Sequence, residues 1–317
     1  MELCSQKETM LTFLEKERAC EIAFLENGPY WHLYTDGTRM ADFFCSEDDF
    51  KQGMVALAVC IVLFGKVGLV TFELMNNHVH MILHGGKYEE CMEFFVMFKG
   101  KLKRMFKGHE RTVNWDDFEA TIIEINDLKA LRNEILYVHR NAYVVNSKYT
   151  PFSYPWGGGW AYFSPMVDLL PIKSLKDIGY NKARELTHHR NLSEIAQLTF
   201  VGDMPFVPSF CRVDVGQSMF RDARSYFHSL TREVEAFSQI ASRLKEQVFL
   251  TSEEMYRVAA SCAQECFSKN LVMLTPGEKV ELARKLHYDY NASNEILRRV
   301  LRLELSVLNE LFPSVTA

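Results

Sequence analysis

The sequence predicts an α+β protein: an antiparallel sheet with packed helices, followed by an all-helical C-terminal region. Three observations carry that expectation. Strand-like and helix-like periodicities alternate over the first half of the chain. A stretch rich in Gly, Pro and aromatics, "YTPFSYPWGGGWAYFSP" (Tyr149–Pro165), then interrupts both patterns. Beyond it, apolar residues recur mostly at steps of three and four. The domain reading is therefore 1–165 and 166–317.

The elements follow in order. "YWHLYTDG" (Tyr30–Gly37) alternates and ends on a turn signal, so it is a strand. "CSEDDFKQGMVALAVCIVLFG" (Cys45–Gly65) opens on Ser46 and acidic residues and closes on Gly65, as a capped helix does. "VGLVTFELM" and "HVHMILHG" form one or two strands around "NN". "KYEECMEFFVMFKGKLKRMFKG" is an amphipathic helix with a basic end, and "FEATIIEI" (Phe118–Ile125) is a strand. "DLKALRNEILYVHRNAYVVN" is a helix with Asp127 as its N-cap. After the seam, apolar residues between positions 219 and 248 predict one long helix. Three shorter helices end the chain, at Ser252–Asn270, Pro276–Tyr290 and Asn294–Phe312. The middle one starts with a capping box of Thr275 and Glu278.

Composition narrows the function classes. With 48% hydrophobic residues the 317-residue chain can bury a sizeable core, which argues against global disorder. The longest apolar stretch, Met54–Phe72, is broken by Lys66 and two glycines, so no membrane span is expected. The start lacks a basic segment and a small-residue cleavage site, and no secretion signal is read there. Eight scattered cysteines without a C-x-x-C pair suit a reduced, cytoplasmic setting. The net charge of −5 is uneven: residues 1–50 hold eleven acidic and four basic residues, whereas Phe98–Gly108 holds five basic ones and no acidic one. Local sign governs binding of a polyanion.

The sharpest local feature is "FELMNNHVHMILHG" (residues 72–85). In a strand, alternate residues share a face about 6–7 Å apart, so His78 and His80 point the same way and can bind one divalent ion. Two hydrogen-bonded histidines on a polar face are the plainer alternative. On the helix "NEILYVHRNAYVV", Tyr137 and Asn141 lie four residues apart, about 5–6 Å on one helical face. Asn141 offers a carbonyl oxygen to a metal. Tyr137 offers a phenol, a nucleophile once a metal polarises the electrophile. Taken alone, a tyrosine and an asparagine on a helix are packing or capping residues.

Four segments in order resemble one family. "LMNNHVHMIL" resembles the His–hydrophobic–His motif of the single-tyrosine HUH transposases, above all the REP-associated tyrosine transposases, whose usual form is close to M-P-N-H-V-H-L-L-L. "YWHLYTDGTRMADFFCSEDDF" is similar to the family's opening strand and turn. "FEATIIEINDLKALRNEILYVHRNAYVV" is similar to the stretch ending Y-I-H-x-N-P-V, and "YPWGGGWAYF" to the W-P-W-S-S-Y that follows. Ala142 and Asn76 stand where the family has prolines, which removes no chemical group. The resemblance implies an HUH endonuclease-like, ferredoxin/RRM-like catalytic domain. It implies His78, His80 and Asn141 as ligands of Mg²⁺ or Mn²⁺, and Tyr137 as the nucleophile. The implied reaction is attack on single-stranded or hairpin-forming DNA, giving a 5′-phosphotyrosine link and a free 3′-OH, with rejoining by reversal. A prokaryotic, nucleoid-associated protein follows, with a monomer favoured over a homodimer.

Other residues extend that expectation. Lys99, Lys101, Lys103, Arg104 and Lys107 could track a phosphate backbone, and Arg140 could touch a phosphate. A solvated charged face explains the run equally well. Trp156 and Trp160 could stack on unpaired bases, or anchor their loop to a core. Arg298, Arg299 and Arg302 suit a recognition helix in a helix-turn-helix; a plain helical bundle is the alternative. Two other functions bear on the same motifs. A domesticated hairpin-binding or regulatory protein would keep the fold without cutting. A histidine-triad hydrolase would need a third alternating histidine, and position 82 is Ile.

Overall fold

The computed structural model describes residues 2–37, 40–107, 113–145, 150, 152–232, 252–290 and 292–312. The chain divides into two compact units, Met1–Arg232 and Glu233–Ala317. The aromatic and glycine-rich stretch expected to mark a seam therefore lies inside the first unit.

The first unit opens with a helix that the sequence pattern did not single out, α1 (Glu2–Asn27). There follow β1 (Tyr30–Thr35), α2 (Glu47–Phe64), β2 (Gly68–Leu74), β3 (Val79–His84), α3 (Tyr88–Met105), β4 (Ala120–Ile125) and α4 (Leu128–Val145). The α+β expectation holds: the four strands form an antiparallel sheet in the order β2-β3-β1-β4. Two β-α-β crossovers are thus interleaved, with β1 and β3 in the centre. The caps read from sequence are present. Ser46 Oγ accepts from Asp49 N at 3.2 Å while the Asp49 carboxylate accepts from Ser46 N at 2.8 Å, and Gly65 ends α2 at φ 67°. Asp127 accepts from Ala130 N at 2.8 Å at the start of α4.

Strand alternation splits the sheet chemically. Leu33, Leu69, Phe72, Leu74, Val79, Met81 and Leu83 lie on one face and are buried. That face carries α2 and α3: Gly53 of α2 abuts Leu74, and Tyr88 of α3 packs edge-on against Trp31 at 6.2 Å. The other face holds His32, Tyr34, Thr71, Glu73 and His80, all buried and mostly polar. Buried polar groups need partners. Helix α4 supplies them: residues 134–140 are buried on every side.

The free edge of β2 is covered by the stretch that looked like a seam. Trp156 O accepts from Leu74 N and Gly158 N donates to Phe72 O, both at 2.9 Å. The close approach requires glycine, since a Cβ on Gly158 would lie 2.6 Å from Thr71 Oγ1. A bulge between Leu69 and Thr71 turns the Val70 carbonyl outward. It accepts from the Tyr162 hydroxyl at 2.9 Å and the Cys211 thiol at 3.1 Å. Trp156 stacks on Phe50 at 5.1 Å and is buried, so it anchors the loop.

The C-terminal region was expected to be all helical from residue 166. A small three-stranded sheet corrects this: Lys173–Ser174, Thr199–Val201 and Met204–Pro205 pair in sequence order. Strands of two or three residues carry too little alternation to register in a sequence. The long helix expected between residues 219 and 248 starts only at Ala223. A turn separates it from helix Val213–Ser218, and residues 233–251, on which the rest of the expectation falls, lie outside the described residues.

In the second unit, helices Ser252–Phe267 and Pro276–Tyr290 pack on Asn294–Leu301 and Leu305–Leu311. Their core includes Met255, Ala259, Cys262, Leu282, Leu286, Leu297 and Leu308. The Thr275–Glu278 capping box forms as read. The single last helix does not: Arg302 sits in the left-handed region at φ 55° and divides it. Arg298, Arg299 and Arg302 are exposed, and Arg299 pairs with Glu295 at 3.6 Å one turn back.

Candidate catalytic centre on the polar face of the sheet

The β2–β3 hairpin places the histidine pair. Met75 N donates to His78 O at 2.8 Å, closing a turn around Asn76 and Asn77. The turn is clamped by the segment after β1. Asn76 O accepts from Phe43 N and Phe44 N, both at 2.9 Å, and Asn77 Nδ2 donates to Gly37 O at 2.8 Å. His78 precedes β3 and is half-buried, whereas His80 lies within it and is fully buried. Their rings are 5.1 Å apart and nearly perpendicular. Gly37 makes room for His78, since a Cβ there would stand 2.7 Å from its Nδ1.

Helix α4 brings Tyr137 to His80. Its ring centroid lies 5.7 Å from that of His80 and 6.4 Å from that of His32. Tyr137 is buried at 7% exposure. Asn141 follows one turn later on the same helical face and is half-buried. Its Nδ2 has no hydrogen-bond partner among the described residues.

Two residues that sequence reasoning passed over complete the centre. His32 on β1 engages His80, Nε2 to Nδ1, at 3.1 Å. On its other side, His32 Nδ1 meets Glu134 Oε2 of α4 at 2.8 Å. Both His32 and Glu134 are buried. A signal for them existed. The alternation of "YWHLYT" puts His32 and Tyr34 on one face, and "EILY" puts Glu134 three residues before Tyr137 on one helical face. What no single strand or helix could supply was the pairing register that joins them. Tyr34, also on β1, stacks on His80 with centroids 6.2 Å apart.

Burial sets the electrostatics. Desolvation, followed by the neighbouring His32, holds the His80 pKa well below its ordinary value, so His80 stays neutral. A second polar chain runs beside the first. Thr71 Oγ1 and His139 Nε2 are 2.6 Å apart, and His139 Nδ1 and the Tyr226 hydroxyl 2.8 Å. Desolvation lowers the His139 pKa to about 3 and pushes that of Tyr226 up.

The donor chemistry suits a divalent ion. The Nδ1 of His78 is engaged by Asn77 Oδ1 at 2.7 Å and that of His80 by His32. Ring nitrogens so held leave Nε2 as the ligating atom, the usual arrangement for histidine ligands. No cluster of three or more His, Cys, Asp and Glu side chains fit to hold a metal occurs among the described residues.

The expected nucleic-acid contacts separate in space. Lys99, Lys103, Arg104 and Lys107 lie on or just after α3, across the sheet from the histidines. Lys101 and Arg140 do not face outward, as a phosphate contact would need. Lys101 is buried, and its ammonium donates to Thr187 O at 2.9 Å and His188 O at 2.8 Å. Those are carbonyls at the end of helix Tyr180–Thr187, so Lys101 caps it. Arg140 is buried at 3% exposure. In comparisons with protein-family models, curated proteins and solved structures, no match to the chain was found.

Proposed function

We propose that the chain is a metal-dependent single-stranded DNA endonuclease and strand transferase with Tyr137 as nucleophile. The observation that carries this reading is the Tyr137 ring lying 5.7 Å from that of His80, whose ring is 5.1 Å from that of His78. His80 and Tyr137, chosen from two distant segments, lie against each other over one face of one sheet. The strand order β2-β3-β1-β4 supports it too, because this is the ferredoxin-like arrangement that the resemblance implies.

His78 and His80 would hold Mg²⁺ or Mn²⁺ through Nε2, with Asn141 as third ligand. The bound metal supplies charge stabilisation on the scissile phosphate. Tyr137 Oη attacks phosphorus, the 3′-oxygen leaves, and the bond energy is kept in the 5′-phosphotyrosine. Attack by another 3′-OH on that link rejoins strands. Lys99, Lys103, Arg104 and Lys107 would meet DNA on the far side of the sheet, away from the scissile phosphate.

One observation favours a second reading, a hairpin-DNA binder that does not cut. His80 is 0% and Tyr137 7% exposed, so a substrate must displace what covers them to reach them. Incubating the protein and Tyr137→Phe with hairpin-bearing single-stranded DNA and Mn²⁺ separates the two. An adduct that requires Tyr137 supports catalysis. Binding without an adduct supports the second reading. For the metal, isothermal titration with Mn²⁺ should show binding that a His78→Ala/His80→Ala double variant loses.

A further inference from the structure

We propose that residues 294–311 form a helix-turn-helix that binds duplex DNA, with Leu305–Leu311 as the helix that enters the major groove. The site lies in the second compact unit and goes beyond the reaction assigned to Tyr137. It needs neither the metal nor a single-stranded substrate.

The break at Arg302 separates this motif from a plain bundle. Asn294–Leu301 and Leu305–Leu311 are joined by three residues, Arg302, Leu303 and Glu304. Two short helices joined by a turn of three or four residues are the helix-turn-helix connection. Arg302 takes the left-handed backbone at φ 55° while its N–H still donates to Arg298 O. A residue other than glycine keeps that backbone only where its surroundings fix it. Here Leu301 before it is buried, and Leu303 after it packs on the core. Ser293 caps the first helix, its Oγ accepting from Ile296 N at 3.3 Å. That helix packs on the second one and on Ser252–Phe267 and Pro276–Tyr290. The inner face of the second helix buries Leu308, and its outer face leaves Ser306, Val307, Asn309 and Glu310 exposed.

That outer face has the chemistry of a base reader. A hydroxyl, an apolar group, an amide and a carboxylate are the groups that meet base edges in the major groove, the apolar one against a thymine methyl. Asn294 Nδ2 donates to Asn309 Oδ1 at 2.9 Å, which holds the Asn309 amide in place. The three arginines expected on the reading helix lie on the helix before it and in the turn. In this motif the first helix crosses the phosphate backbone, so positive charge belongs there. Arg299 is taken up by Glu295 at 3.6 Å. Arg298 and Arg302 are exposed, and neither has an ion pair among the described residues, so both guanidinium groups complement the charge of a duplex.

The test is selection by the full chain, in EDTA, from duplexes with a randomised core of about 20 base pairs, two turns of the helix. Fluorescence anisotropy then compares the selected duplex, a scrambled duplex and one selected strand alone. The expected result is a recurring sequence bound at least about tenfold more tightly than the scrambled duplex, since each wrong base pair costs roughly 5- to 150-fold. Ser306→Glu, at an exposed position, should abolish that preference. Arg298→Ala/Arg302→Ala should weaken both duplexes alike and lower the log–log salt slope by about two. No recurring sequence, tighter binding of the single strand, or an unchanged preference in Ser306→Glu would each overturn the proposal. The selection runs without metal, so its outcome is separate from whether Tyr137 cuts DNA.

Discussion

His139 is buried with both ring nitrogens engaged by neutral partners, Thr71 and Tyr226. Its folded pKa, about 3, lies below the 6.5 of an exposed histidine because burial penalises the imidazolium. The unfolded chain therefore takes up a proton first as pH falls. The contribution is fully present above about 6.5 and is lost as pH falls toward 3. His80, lowered for the same reason, acts in the same direction. Urea unfolding between about pH 6.5 and 5, above the carboxylate range, is expected to show stability falling by about 1.4 kcal/mol per pH unit per such histidine. A flat profile there would contradict the buried neutral state. Tyr226→Phe removes one partner of His139 and should cost about 1–3 kcal/mol in the same assay. Of these polar residues, His78, His80, Tyr137 and Asn141 were legible in the sequence because each pair stands at strand or helix spacing within a motif that resembles one family. His32, Glu134 and His139 were not, because their roles depend on strand register and on which helix covers the polar face.

At the scale of elements, α3 does two jobs on two sides. Its buried side holds Phe94, Phe95, Phe98 and Lys101, while Lys103 and Arg104 are exposed. Lys101→Met would leave the Thr187 and His188 carbonyls without their donor, an expected loss of about 1–3 kcal/mol. Lys103→Ala and Arg104→Ala should stay within about 0.5 kcal/mol. Equal effects in chemical denaturation of all three would contradict the assignment of Lys101 as a cap. The edge of β2 makes a sharper test. Gly158→Ala puts a methyl against the Thr71 hydroxyl that also meets His139, so a loss of about 1–3 kcal/mol is expected. Capped helices such as α2 and α4 could be read from residues because their signals are local. The three short strands between residues 173 and 205 could not, and neither could the break at Arg302, where an exposed arginine adopts a left-handed backbone.

For the molecule as a whole, the candidate centre lies entirely within the first compact unit, Met1–Arg232, and the second unit has its own core. A chain ending at Arg232 is therefore expected to melt cooperatively and to keep the Tyr137 environment, which near-ultraviolet circular dichroism would report. Loss of cooperative melting would show that the first unit needs the second. No helix among the described residues is long and apolar enough to cross a membrane. The strands and helices around the central sheet were legible from alternation and helix caps taken together, whereas their order in the sheet was not, and the cover over β2 depended on glycines that looked like a linker. The most direct measurement of the central claim is mass spectrometry of the protein after incubation with hairpin-bearing single-stranded DNA and Mn²⁺. The account predicts a DNA fragment joined through its 5′-phosphate to the peptide containing Tyr137, absent in Tyr137→Phe. Cleavage that persists in Tyr137→Phe, or hairpin DNA bound with Mn²⁺ and never joined, would contradict it.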